Sequence, residues 1–198
     1  MMITLFLIAI NFVVTLIFLQ KEEPRDFLFF PYDVARGRGY RGLLYSQFSH
    51  AGWGHLFFNM FTLFFFGRNL EVLSPTVLLL SYFLAAAGAD LATYIRHKEE
   101  PRFATLGASG SVAGVLFASI LFFPEQGIFI FPLPIPIPGP IFALLYLAGS
   151  MYMARSERGT VNHEAHIGGA IIGFLVAAIY SPAALANFWN VVLGYIPG

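Results

Sequence analysis

Residues 106–114 read LGASGSVAG, a serine among glycines and alanines at the head of a run that stays apolar as far as Pro124. What such a serine does depends on its solvent. Of the 198 residues, 58% are hydrophobic and only 11% are charged, and the mean hydropathy is +0.72, too few charges to clothe a soluble domain of this size. The chain therefore reads as an integral membrane protein surrounded by the lipid bilayer. Eleven Lys and Arg balance eleven Asp and Glu. With no basic patch interleaved with aromatics, no nucleic-acid partner is expected. The absence of cysteine excludes disulfides, thiolate zinc sites and cysteine nucleophiles.

Crossing the hydrocarbon takes about 20 apolar residues. Runs of about that length, bounded by charge, Pro or Gly, lie at about 2–20, 53–72, 75–95, 109–123, 140–154 and 164–186. They predict an all-α bundle of six transmembrane helices in one membrane domain, residues 1–198, without internal repeats. The first run has no basic n-region and no small-residue cleavage site before Lys21, so it reads as a retained helix rather than a signal peptide. Residues 21–52 form a long first loop whose FLFF and LLY patches suit the membrane interface. In PEQGIFIFPLPIPIPGP, residues 124–140, alternating prolines forbid a helix and predict an extended apolar segment at the membrane surface.

Chemistry is sought in polar residues that do not belong in lipid, because an unpaired polar group there costs several kcal/mol. In SHAGWGHLFFNM, residues 49–60, His55 and Asn59 are four apart and share one helical face, with His50 just before them. Gly107, Ala108, Ser109 and Gly110 open the fourth run, and NHEAHIGG places His163 and His166 at the head of the sixth. An imidazole near neutral pH can take the proton of a serine hydroxyl, so Ser109 and His166 suit the parts of nucleophile and base. Gly110 with Gly114, and Gly169 with Gly173, form two ridges of small residues that let helices approach closely. Packed together, those ridges would bring Ser109 and His166 to one depth. An oxyanion needs donors, and the Ser109 amide at a helix start, His55 and Asn59 can supply them.

GASG at 107–110, HLFFN at 55–59 and AHIGGAIIG at 165–173, in this order on the second, fourth and sixth runs, resemble the rhomboid family of intramembrane serine proteases over nearly the whole chain. The resemblance implies Ser109 as nucleophile, His166 as general base without a third acid, and His55 and Asn59 joining the Ser109 amide in the oxyanion hole. It implies a structural role for His50. It further implies a bundle around a wet cavity, with the fifth helix and the loop at 155–163 as gate and cap for a transmembrane protein substrate. Two positions depart from the family's pattern. Tyr40 and Arg41 stand where the first loop often carries Trp-Arg, and Ala113 stands where some members place an aromatic ring against the histidine.

With both termini cytoplasmic, as the resemblance implies, ten Lys and Arg fall outside and Arg68 alone inside, against the positive-inside bias. That orientation is kept because the first loop's cations come with Glu22, Glu23, Asp26 and Asp33. The expected location is the plasma (inner) membrane of a prokaryote, as a multi-pass protein. Taken singly, each residue has a plainer role: serine between glycines packs, a bundle histidine finds a partner, and Asn59 bonds between helices. Asp90 reads as structural. The histidines have no carboxylate at ligand spacing, so neither a metal nor a cofactor is expected. Two rival readings are a rhomboid-like protein that binds transmembrane segments without cutting, and a small channel or transporter.

Overall fold

The computed structural model describes residues 2–130, 135–154 and 161–195. In chain order the main elements are α1 (Met2–Leu19), α2 (Trp53–Leu73), α3 (Pro75–His97), α4 (Ser109–Phe122), the strands β1 (Gly127–Phe129) and β2 (Pro136–Pro138), α5 (Gly139–Ala154), α6 (His163–Tyr180) and α7 (Pro182–Gly194). By length and composition α1, α2, α3 and α6 can cross a membrane, whereas α4 and α5 are apolar but shorter. The chain is a mostly helical, multi-pass membrane protein.

Local chemistry sets several boundaries. Ser74 accepts a hydrogen bond from the Val77 amide and Pro75 opens α3, a pairing of cap and first residue that satisfies one orphan donor and needs none from proline. Asn162 caps α6 by accepting from the Ala165 amide at 3.0 Å. The run expected over 164–186 is divided: α6 ends at Tyr180, Ser181 turns extended and caps α7, and Pro182 takes its first position. Proline disfavours a helical residue before it, which is why one apolar run becomes two helices. In the 124–140 segment the described residues form an antiparallel hairpin, Gly127 opposite Pro138 and Phe129 opposite Pro136. Residues 131–134 and 155–160, the latter most of the expected cap loop, lie outside the described residues.

At the centre stands α4, buried along its whole length from Gly110 to Leu121. Its 14 residues rise about 21 Å, less than the hydrocarbon thickness of about 30 Å. The connection from α3 descends to meet it and is fastened on the way: Phe29 and Thr105 exchange both backbone hydrogen bonds, and the Gly107 amide donates to Ser46 O at 2.9 Å. The first connection thus supports the start of α4. Its two apolar patches differ: Phe27 and Phe29 of FLFF are buried beneath, while Leu44 and Tyr45 of LLY, with Tyr40, face outward.

Three helices meet backbone to backbone. A Cβ placed on Gly169 would lie 2.1 Å from Gly110 O, one on Gly173 would lie 2.1 Å from Gly114 O, and one on Gly168 would lie 2.5 Å from Gly88 O. No side chain fits, so α6 lies directly on α4 and α3. On α1, the buried Thr4, Asn11 and Thr15 form a polar stripe through an apolar helix. Glu71 accepts from the Ile3 and Thr4 amides and from Thr4 Oγ1 at 2.6 Å, capping α1. Asn11 donates to Leu7 O and to Tyr82 Oη, and Thr15 donates to Phe48 O.

Because over-packing costs about 1–3 kcal/mol, Gly173→Ala should lower the thermal midpoint in detergent by several degrees. Gly149→Ala on α5, where no atom lies within 4 Å, should leave it unchanged or raise it.

Candidate active site

The site is built around Gly107. Its φ of +130° is a conformation side chains rarely adopt, and a Cβ there would fall 2.7 Å from His55 Cε1, 2.9 Å from His55 Nε2 and 3.8 Å from Ser109 Oγ. Glycine is required twice over, by the turn into α4 and by the imidazole lying against it. This contact joins the start of α2 to the start of α4. Ser109 is the first residue of α4, so its amide has no acceptor within the helix.

The start of α6 arrives from the other side. A Cβ on Gly110 would lie 3.2 Å from Ala165 O, so the residues next to Ser109 and His166 are in contact. His166 is half-buried, with the His163 ring edge-on at 5.9 Å and the Tyr146 ring at 6.2 Å and 32°. Among the described residues no hydrogen bond joins Ser109 to His166. Such bonds often tighten only when substrate is bound.

Asn59 is buried one turn below His55, and its Nδ2 donates to His55 O at 2.9 Å. The second hydrogen of that amide remains for another acceptor. His50 is fully buried, its ring 4.9 Å from His55, and its Nδ1 meets Thr15 Oγ1 at 2.9 Å. With the hydroxyl proton of Thr15 on Phe48 O, His50 is the donor of that pair. Burial, with His55 adding to it, pushes His50 down to about 3, so it is neutral at physiological pH. Four of the five histidines fall into two pairs, His50 with His55 and His163 with His166, and among the described residues no three His, Asp or Glu side chains converge to hold a metal ion.

Two cavities lie on the elements that carry these residues, one reaching His163 and neither lined by Ser109 or His166. One, of about 510 Å³, is polar and lined by Arg96, His97, Arg102, Asn162, His163 and Glu164. The other, of about 620 Å³, is mainly apolar and lies between α2, the hairpin and α5, lined by Phe58, Phe61, Phe65, Leu116, Ile128 and Phe142.

The structure therefore brings Ser109, Gly107, His55 and Asn59 together and seats the His166 helix start beside them. It does not bring Tyr40 or Arg41 there: both are exposed on the first connection, where Arg41 pairs with Asp26 at 3.4 Å. Asp90 accepts from Gln47, tying α3 to the first connection. Sequence reading passed over Tyr146, Gln47 and Asn162. Asn162 donates to Thr93 Oγ1 and Thr105 Oγ1 besides capping α6, and only its place before the helix start signalled it. Tyr146 left no signal in a run of apolar residues.

A polytopic helical protein with a polar constellation sunk at the ends of tightly crossed helices is the class these features define. A family model described as Rhomboid domain matches residues 36–183, and the chain belongs to the rhomboid family. It is 27% identical over 187 residues to RHOMBOID-like protein 12, mitochondrial, of Arabidopsis thaliana, covering 84% of this chain and 54% of that protein. Rhomboid protein 1, mitochondrial, of Saccharomyces cerevisiae is 29% identical over 142 residues, 70% of this chain and 41% of its own. Rhomboid-like protein 11, chloroplastic, of Arabidopsis thaliana is 34% identical over 149 residues, 69% and 51% respectively. The chain spans about half the length of these relatives.

The unfolded chain takes up a proton on His50 near its ordinary value of 6.5, whereas the folded chain refuses it down to about 3. Stability therefore falls as pH falls through that window, because the unfolded state binds more protons there. Thermal unfolding in detergent at pH 7 and pH 5 should show a larger loss for wild type than for His50→Asn. Equal losses would mean that His50 is not buried neutral.

Proposed function

We propose that this rhomboid-family protein is an intramembrane serine endopeptidase that hydrolyses peptide bonds in or near transmembrane segments of other membrane proteins. The observation that carries the reading is the crossing of α4 and α6 at Gly110 and Gly169, which seats the helix starts bearing Ser109 and His166 side by side. Ser109 Oγ attacks the scissile carbonyl while His166 takes its proton. The oxyanion is held by the Ser109 amide, His55 and the free hydrogen of the Asn59 amide. His166 then protonates the leaving amine and activates the water that releases the acyl-enzyme. The polar cavity beside His163 is a source of that water, and the apolar cavity between α2 and α5 is suited to a substrate helix. No cofactor enters this chemistry.

The same reading takes residues 1–198 as a single domain in which α4 and α5 also cross the membrane, making six spans, with an interfacial first loop. The proposed location is the plasma membrane of a prokaryote. The mitochondrial and chloroplastic names of the relatives favour an organellar membrane as the second choice. The glycine-lined approach favours a small side chain before the scissile bond, and a substrate helix must unwind locally to present that bond.

Cleavage of a model transmembrane substrate by the purified protein should be abolished in Ser109→Ala and in His166→Ala. Asn59→Ala should lower kcat on the order of 10²-fold. If no version cuts and a fluorophosphonate fails to label Ser109, the chain is instead a rhomboid-like binder of transmembrane segments. Ion flux in liposomes that persists in Ser109→Ala would favour a channel.

A further inference from the structure

The imidazole of a Ser-His pair must be held at one angle, and no described hydrogen bond on His166 Nδ1 or Nε2 does so here. Its described ring neighbours are His163, on its own helix, and Tyr146 on α5. Tyr146 is itself wedged by Phe142, one turn earlier at 6.0 Å, and by Phe117 of α4, edge to face at 5.4 Å. Its hydroxyl makes no hydrogen bond among the described residues, so the ring alone makes the contact. Ala113, one turn beyond Ser109 on α4, is buried and has no ring to offer.

The helix that carries this ring is the most loosely seated of those around the site. On α5 only Gly139 and Ser150 are buried, and Ile141, Leu144, Leu145, Met151 and Tyr152 face outward. No small-residue ridge locks it: Gly149 has open space around it, whereas every ridge glycine of α4 and α6 is in backbone contact. Phe142 of the same helix also lines the apolar cavity.

We propose that Tyr146 is the positioning residue for His166, and that the seating of α5 against α6 thereby sets the orientation of the base. This rests on the serine protease reading of Ser109 and His166. The base keeps its alignment through that one aromatic ring.

The test is steady-state cleavage of a model transmembrane substrate in detergent, with fluorophosphonate labelling of Ser109 and thermal unfolding measured on the same samples. Tyr146→Phe should match wild type, since the hydroxyl has no partner. Tyr146→Leu, which fills the space without a ring, and Tyr146→Ala should lose about 10- to 100-fold in kcat, the scale of a displaced catalytic group. Their KM should be unchanged and labelling slowed in parallel. Adding Ala113→Tyr to Tyr146→Ala supplies a ring from α4 and should recover kcat. Tyr152→Ala, on the outward face of α5 with Tyr152 78% exposed, should change nothing. The proposal is overturned if Tyr146→Leu keeps wild-type kcat, if Tyr146→Phe is as impaired as Tyr146→Ala, or if the losses appear in KM alone. A flat Tyr146 series beside an inert Ser109→Ala sinks only this inference. A wild type that neither cuts nor labels sinks the protease reading and this inference with it.

Discussion

Backbone contact between α3, α4 and α6 at Gly88, Gly110, Gly114, Gly168, Gly169 and Gly173 is the constraint on which everything else in the molecule depends. In lipid there is little hydrophobic reward for pressing two helices together, so close packing of small residues has to supply the attraction. The candidate catalytic residues are adjacent to that contact in sequence: Ser109 precedes Gly110, and His166 stands one turn before Gly169. A shift of the crossing would move both helix starts at once. The site inherits its geometry from the most tightly packed part of the fold.

A second constraint is that polar groups inside such a bundle must find partners within it. The stripe on α1 does this at three levels, Thr4 with Glu71, Asn11 with Tyr82 and Thr15 with Phe48 and His50. The last level reaches the site, because the His50 ring packs against His55 and His55 packs against Gly107. The first connection adds its own ties through Ser46 to Gly107 and Gln47 to Asp90. The hydrogen-bonded parts of the protein thus converge on the descending segment before α4, a stretch without regular structure that would otherwise have no reason to hold one conformation.

Rigidity is distributed unevenly around this centre. The α3, α4 and α6 helices are locked by atoms that cannot move apart without opening the core, while α5 rests on α6 with an outward face of Ile, Leu, Met and Tyr. Elements with few buried contacts are the ones that open at low cost. The candidate serine therefore sits on the fixed part of the bundle, and α5 forms its least tightly held wall. A polar cavity lies by His163 and an apolar one by Phe142.

Much of this was legible in the residues. The apolar runs marked the helices, the ridge glycines marked which helices cross, and the spacing of His55 and Asn59 placed them on one face. The misreading at 164–186 came from treating hydropathy as continuous where Ser181 and Pro182 interrupt the backbone. Thr4, Asn11 and Thr15 carried a readable signal, polar residues at positions i, i+7 and i+11 of one helix, that went unused. What the sequence by itself determined is the solvent, the helices and the small-residue faces, because each is a property of one segment and its periodicity. Only the tertiary structure decided that His55 lies on Gly107, that Glu71 caps α1 and that Tyr146 rather than residue 113 faces His166. Those are contacts between segments distant in the chain, and a single aromatic among apolar residues looks the same whether it meets lipid or a histidine.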